Sequence, residues 1–178
     1  SIMGIGTNSL GYGNEEVDQA IQEIIKKGNM STFNCPEEVY LAEELIKINP
    51  WADMVRFART GGEANAIAIR ISRAASGNDK IAICGYHGWH DWYLSSNLER
   101  KDNLDDHLLP NLEIAGVPKA LSSTVFPFKY NDIEGLKKIL ESNDIGAIKM
   151  EVQRSAEPSE GFLKEVRDLC DQKKIVLI

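Results

Sequence analysis

Apolar residues recur with helical spacing in the first fifty residues. After Asn14 they follow the i, i+3, i+4, i+7 pattern of one helix face, at Val17, Ala20, Ile21, Ile24 and Ile25. Asn14 is a favoured N-cap residue, and Gly28 ends the pattern. A second helix is predicted from Pro36, because proline is favoured in the first helical turn; its apolar face carries Val39, Ala42, Leu45 and Ile46.

The rest of the chain alternates short apolar runs with longer amphipathic stretches. Strands are predicted at residues 54–58, 80–84, 124–128, 145–152 and from 175 onward. Helices are predicted at 64–75, after an Asp132 cap, and from a Ser159 cap to Cys170. In residues 89–118 the apolar positions follow neither the helical nor the strand spacing. Strands that alternate with helices predict an α/β fold whose mostly parallel sheet has flanking helices.

Composition and charge narrow the class of protein. The 178 residues are 43% hydrophobic and 26% charged, which is typical of a globular protein. The net charge is −7 and the basic residues form no stripe, so neither nucleic acid nor an anionic membrane is an expected partner. No apolar run approaches the roughly 20 residues of a membrane span.

The cysteines indicate a reducing compartment. Cys35, Cys84 and Cys170 are odd in number, widely spaced and without a CxxC pair, which argues against a disulfide framework and a cysteine zinc site. We therefore expect a cytoplasmic protein.

Two glycine-containing segments carry the candidate chemistry. Gly61 and Gly62 stand between a predicted strand and a predicted helix, where uncovered backbone N–H groups attract anions, and the Thr60 hydroxyl adds a further hydrogen-bonding group. Tyr86 and His87 follow the next apolar run, so they are expected at the same edge of the sheet. A phosphate cradle beside an aromatic ring predicts a phosphorylated, planar cofactor.

These segments resemble two motifs of one enzyme family. Thr60-Gly61-Gly62-Glu63-Ala64 resembles the Ser-Gly-Thr-Glu-Ala motif of class III aminotransferases, which bind pyridoxal 5′-phosphate (PLP). Gly85-Tyr86-His87-Gly88 resembles the Tyr-His-Gly motif that follows it. The likeness runs from about Gly4 to Ile178 and is strongest to glutamate-1-semialdehyde 2,1-aminomutase-like members. It implies part of the large domain of a fold-type I PLP-dependent transferase.

The resemblance also assigns roles to the cofactor-binding candidates. Gly61 and Gly62 would present backbone amides to the phosphate, Tyr86 would stack on the pyridine ring, and His87 would pack beneath the ring or order the loop. Glu151 matches a glutamate that the family carries at a strand end. Two positions depart from the family pattern: Gly62 replaces a hydroxyl residue, and Val152 follows Glu151 where the family usually has proline.

No catalytic residue is expected within this chain. By resemblance, the Schiff-base lysine and the aspartate that protonates the pyridine nitrogen lie beyond Ile178, because the strand from residue 175 is the one that precedes the aspartate. Residues 1–50 would be a helical segment that lines the active-site region, and residues 51–178 a truncated PLP-binding large domain. The parent protein would be a homodimer that moves an amino group between an amino donor and a carbonyl substrate, or within one molecule.

Two other classes of protein are alternatives. His87, His90 and Asp91 lie within five positions, so a metal-dependent hydrolase is an alternative, although no distant fourth ligand is indicated and no metal is expected. A noncatalytic binding or assembly module is the other. A nicotinamide site is disfavoured, because Ser9 stands where a GxGxxG fingerprint starting at Gly4 requires its third glycine.

Overall fold

The computed structural model describes residues 4–28 and 32–178, and the chain divides into two compact units, Ser1–Arg56 and Phe57–Ile178. The first unit contains helices α1 (Glu15–Lys27) and α2 (Pro36–Ile48). The Asn14 side chain accepts a hydrogen bond from the Val17 N–H at 3.1 Å, and the Gly28 N–H donates to the Ile25 carbonyl at 3.1 Å. Both predicted helices and the predicted ends of α1 are thus confirmed.

The predicted strand at residues 54–58 is wrong. This backbone is not part of the sheet, and Met54 exposes 87% of its surface. An apolar run favours an extended backbone, but a strand also needs a neighbour to pair with, and no such neighbour lies along this run in the described residues.

The second unit is built on a four-stranded parallel sheet. Helix α3 (Gly61–Ser76) leads to β1 (Ile81–Cys84) and α4 (Asp91–Leu94), and β2 (Val125–Pro127) follows two 3₁₀ turns at Ser95–Leu98 and Lys119–Leu121. The remaining elements are α5 (Ile133–Ser142), β3 (Ala147–Met150), α6 (Phe162–Lys173) and β4 (Val176–Leu177). The strand order is β2-β1-β3-β4, and every pair is parallel. The predicted α/β class with a parallel sheet is confirmed.

Alternate strand residues bury opposite faces of this sheet. Ala82 and Ile148 pack into a cluster with the apolar faces of α5 and α6, which supply Leu136 and Val166. Their neighbours in sequence point the other way, into a second cluster that contains Ile69 of α3 and the side chains Ile81, Ile83, Tyr93, Leu104 and Ala147. Both faces are therefore covered, as expected for a parallel sheet.

Two sequence expectations need correction in the second unit. Helix α6 begins at Phe162 and not after Ser159, because Ser159 is used in a turn: its N–H donates to Asn131 Oδ1 at 2.9 Å and its carbonyl accepts from the Phe162 N–H at 3.0 Å. The irregular stretch 89–118 contains α4, and its side chains Tyr93 and Leu104 are fully buried. None of the helices in residues 4–28 and 32–178 has the length and apolar character needed to cross a bilayer.

Candidate functional site

Helix α3 begins with a capping box that places two glycines in its first turn. The Thr60 hydroxyl oxygen accepts from the Glu63 N–H at 3.2 Å, and Glu63 Oε2 accepts from the N–H groups of Thr60 and Arg59 at 3.1 and 3.0 Å. The helix therefore starts at Gly61, three residues before the predicted start. The N–H groups of Gly61 and Gly62 precede the first intrahelical bond, from Ala64 to the Thr60 carbonyl at 3.0 Å. They remain available to an anion.

The loop that follows β1 packs directly on this first turn. Gly88 has a φ of 101°, and a Cβ there would lie 3.2 Å from the Cα of Gly62, so the contact is between two backbones. Asn65 Nδ2 donates to the His87 carbonyl at 3.0 Å, and the Tyr93 hydroxyl donates to the Gly85 carbonyl at 3.1 Å. These bonds hold the loop between β1 and α4 against the start of α3.

The histidine that ends this loop covers Gly62. A Cβ built on Gly62 would lie 2.8 Å from both Cδ2 and Nε2 of the His90 ring. The imidazole therefore occupies the volume into which any side chain at position 62 would project. Its backbone begins α4, because the His90 carbonyl accepts from the N–H groups of Tyr93 and Leu94 at 2.9 and 3.1 Å.

A cavity of about 570 Å³ opens between the helix start and the loop. Half-buried Tyr86 lines it, with its ring edge-to-face against Tyr93 at a centroid distance of 5.8 Å and an interplanar angle of 84°. The other lining residues are Thr60, Gly61, Gly62, Glu63, Asn65, Gly88, Trp89 and His90. Four of the predicted cofactor-binding residues, Thr60, Gly61, Gly62 and Tyr86, are thus brought together around one space.

His87 is buried beside this cavity and does not line it. Its Nε2 lies 3.1 Å from the Cys84 carbonyl, which can only accept, so the neutral ring carries its proton on Nε2. The ring stacks on Trp92 at 6.4 Å. Burial, assisted by the positive charge of Lys149, lowers the pKa of His87 to about 4. The neutral, buried ring is thus bonded within the loop; both predicted roles, packing beneath a cofactor ring and ordering the loop, stay predictions.

Glu151 lines a second cavity, of about 390 Å³, at the carboxyl ends of β1 and β3. Its carboxylate pairs with Arg154 at 3.0 Å. His107 lies in the same cavity, where its Nδ1 accepts from the Gly85 N–H at 2.9 Å, and burial lowers the pKa of His107. The predicted supporting role of Glu151 toward a cofactor therefore stays a prediction, since Glu151 and Tyr86 line different cavities.

Five lining residues were not identified as cofactor-binding from the sequence: Glu63, Asn65, Gly88, Trp89 and His90. Asn65 stands three residues after Gly62, on the same helix face, so helical spacing could have found it. Trp89 lies in the stretch without periodicity, and His90 is a ligand only of the alternative metal site. Their true neighbours follow from how the loop packs on α3, which no local pattern encodes.

The alternative metal site is not assembled in this structure. Within the described residues, no group of three or more histidine, cysteine, aspartate or glutamate side chains is placed to hold a metal ion. His87 turns its Nε2 to the Cys84 carbonyl, whereas the His90 ring lies over Gly62. The two imidazole rings thus contact different parts of the chain.

The capping box allows a direct test of how α3 begins. Thr60→Ala removes the acceptor for the Glu63 N–H and should lower the free energy of unfolding by about 1 kcal/mol, whereas Thr60→Ser should cost much less because it keeps the hydroxyl. Urea unfolding followed by circular dichroism measures both. Equal stability of the two variants would contradict a capping role for this hydroxyl.

Comparison with known proteins identifies the family. The family model for class-III aminotransferases matches residues 1–178, and the chain belongs to this family. It is 33% identical over 181 residues to a 3-aminobutyryl-CoA aminotransferase of Cloacimonas acidaminovorans, covering 95% of this chain and 39% of that protein. It is also 33% identical over 182 residues to a glutamate-1-semialdehyde 2,1-aminomutase of Archaeoglobus fulgidus, covering 99% of this chain and 42% of that protein.

Solved structures agree with this assignment. An omega-transaminase from Sphaerobacter thermophilus superposes with a TM-score of 0.79 at 25% identity, over 94% of this chain and 40% of that one. A transaminase solved with PLP bound gives the same TM-score at 26% identity and the same coverage. The predicted fold, part of a fold-type I transaminase, is confirmed. The chain spans 39% to 42% of the length of these relatives.

Proposed function

We propose that this chain supplies the phosphate- and ring-binding part of a PLP-dependent aminotransferase or aminomutase. One observation carries the proposal: the glycine-rich first turn of α3 and the ring of Tyr86 line the same cavity. Uncovered N–H groups at a helix start suit a phosphate, and an aromatic face suits a pyridine ring. The Glu63 carboxylate lies at this cavity too, but the capping bonds from Arg59 and Thr60 engage it.

In such a site PLP supplies an electron sink, and the protein supplies binding and orientation. In this chain Gly61 and Gly62 would donate backbone hydrogen bonds to the phosphate, with the Thr60 hydroxyl beside them. Tyr86 would set the plane of the ring, held in turn by its edge contact with Tyr93. The lysine and the aspartate that the chemistry also needs are proposed to lie in sequence after Ile178.

Lys149 is a buried lysine, but it does not take the missing lysine's place. It lies on β3 opposite Ile83 and exposes 9% of its surface. Burial lowers the pKa of Lys149, and the nearby Glu151 carboxylate opposes this effect. The residue is absent from the lining of the cavity that holds Tyr86, so we assign it no bond to the cofactor.

The remaining features of the parent protein are proposed from its relatives. The reaction would use a small amino donor and a carbonyl acceptor, as the transaminase names of the relatives suggest, or an internal transfer as in the aminomutases. We further propose a homodimer and a cytoplasmic location; two buried, free cysteines, Cys84 and Cys170, support a reducing compartment.

Replacing Tyr86 tests the proposed function. In the natural full-length protein that contains this chain, Tyr86→Ala should weaken PLP binding roughly 2- to 13-fold, since ring stacking is worth about 0.5–1.5 kcal/mol. Tyr86→Phe keeps the ring and should bind within about twofold of the parent. Titration of cofactor-free protein with PLP, followed by absorbance, measures both affinities. Absence of PLP binding in the parent would overturn the proposed function, and equal affinity of Tyr86→Ala and the parent would overturn the stacking role.

A further inference from the structure

We infer that His90 binds the cofactor phosphate through its imidazole, in place of the hydroxyl side chain that position 62 lacks. This inference rests on the proposed function, because it concerns how the same cavity holds its anion. It assigns a specific binding role to a residue outside the two motifs that led to the cavity.

The His90 ring fills the space above the helix start. Position 62 is a glycine, so the second residue of α3 offers only its backbone N–H. His90 Nε2 lies 2.8 Å from the point where a Cβ on Gly62 would stand. A polar ring atom is therefore present where a side chain of residue 62 would begin, next to the N–H groups that face the anion. The imidazole and a serine or threonine side chain at position 62 exclude each other.

The loop holds the His90 ring in position, and the two ring nitrogens are unused. Gly88 brings the loop to within backbone contact of Gly62, and the His90 carbonyl is fixed by its two bonds at the start of α4. The ring itself is half-buried and tilts against Trp89 at a centroid distance of 5.8 Å. Neither nitrogen has a hydrogen-bond partner in the part of the chain that the structure describes. The His90 imidazole therefore lies over the helix start with its nitrogens free of hydrogen bonds to the described residues.

The chemistry of the ring suits a phosphate. A neutral imidazole with its proton on Nε2 donates one hydrogen bond, and a protonated imidazole donates a charge-assisted one. Phosphate oxygens accept both. The two backbone N–H groups and the His90 ring would then approach the anion from different sides of the cavity, the helix and the loop.

A double-substitution cycle on the natural full-length protein tests this assignment. The parent, His90→Ala, Gly62→Ser and the double variant are stripped of cofactor and titrated with PLP and, separately, with pyridoxal, which lacks the phosphate. His90→Ala should weaken PLP binding about tenfold or more and change pyridoxal binding less than about twofold. Gly62→Ser alone should also weaken PLP binding, because its Cβ meets the His90 ring. The double variant should bind PLP better than either single variant, since the new hydroxyl enters the vacated space.

Each result decides the question. Selective loss of PLP affinity in His90→Ala together with recovery in the double variant supports the inference. Equal loss of PLP and pyridoxal affinity would show that His90 only orders the loop, and unchanged PLP affinity would show that it has no role; both overturn the inference while the proposed function stands. If the unsubstituted protein binds no PLP, the proposed function fails, and the inference that rests on it fails with it.

A second pair of variants covers the case in which His90→Ala does not fold. His90→Gln keeps an N–H donor and His90→Leu removes it at similar size, so PLP affinity should be higher in His90→Gln while pyridoxal affinity is equal in the two. Thermal unfolding verifies that both are folded. Equal PLP affinities in this pair would overturn the inference.

Discussion

Lowering the pH from 7 to 4 is expected to reduce the free energy of unfolding by about 3 kcal/mol through His87 alone. In the folded protein burial lowers the pKa of His87 from 6.5 to about 4. A pKa difference of one corresponds to about 1.4 kcal/mol. The unfolded chain binds a proton on this residue below pH 6.5, whereas the folded protein resists it until about pH 4. The contribution is therefore fully present above pH 6.5, is lost progressively as the pH falls, and levels off near pH 4.

Urea unfolding at a series of pH values measures this contribution. His87→Gln preserves a donor to the Cys84 carbonyl and removes the titrating ring, so its stability should fall less steeply between pH 6.5 and 4 than that of the parent. His107→Gln is the matched comparison: burial lowers the pKa of His107 as well, and removing it should leave the His87 contribution in place. The same pH slope in the parent and His87→Gln would refute the assignment.

Gly88→Ala is expected to lower the free energy of unfolding by roughly 2–6 kcal/mol. A side chain at a φ of 101° strains the backbone, which costs about 1–3 kcal/mol, and the new methyl group would stand 3.2 Å from the Cα of Gly62. Contacts with backbone are hard to relieve, and overpacking costs typically 1–3 kcal/mol. The loop that carries Tyr86 and His90 would be pushed off α3.

A second glycine separates the strain from the contact. Gly116 has a φ of 91°, but a Cβ there would meet nothing within 4 Å, so Gly116→Ala reports the strain alone. The excess loss of stability in Gly88→Ala over Gly116→Ala, measured by urea unfolding, is then the cost of the contact with Gly62. If the two variants lose equal stability, the loop does not press on the helix start as described.

The parts of the fold that depend on local signals could be predicted from the sequence. Asn14 and Gly28 bound α1 because a cap and a stop act on their own neighbours. The glycine pair was placed correctly at a helix start for the same reason. By contrast, the run 54–58 has the composition of a strand, but whether it pairs is decided by the rest of the molecule.

The residues of the candidate site could likewise be predicted only where the signal is local in sequence. Thr60, Gly61, Gly62 and Tyr86 could be found because they sit in short motifs whose position between strand and helix is itself informative. The position of His90 over Gly62 could not, since it depends on where α4 begins and on how Gly88 lets the loop approach α3. His107 belongs to a stretch without periodicity, and its bond to the Gly85 N–H joins residues that are distant in sequence.

The strand order delays the pairing of β1 during synthesis of the chain. β1 is the first of the four strands to leave the ribosome, yet it lies between β2 and β3, which are synthesised only after the long stretch that includes α4. Until then Ile81–Cys84, whose side chains are all buried in the finished sheet, has no partner on either side. Such late pairing is slow and leaves an unpaired apolar strand open to aggregation. The nascent chain is therefore most prone to aggregation between the emergence of β1 and that of β3.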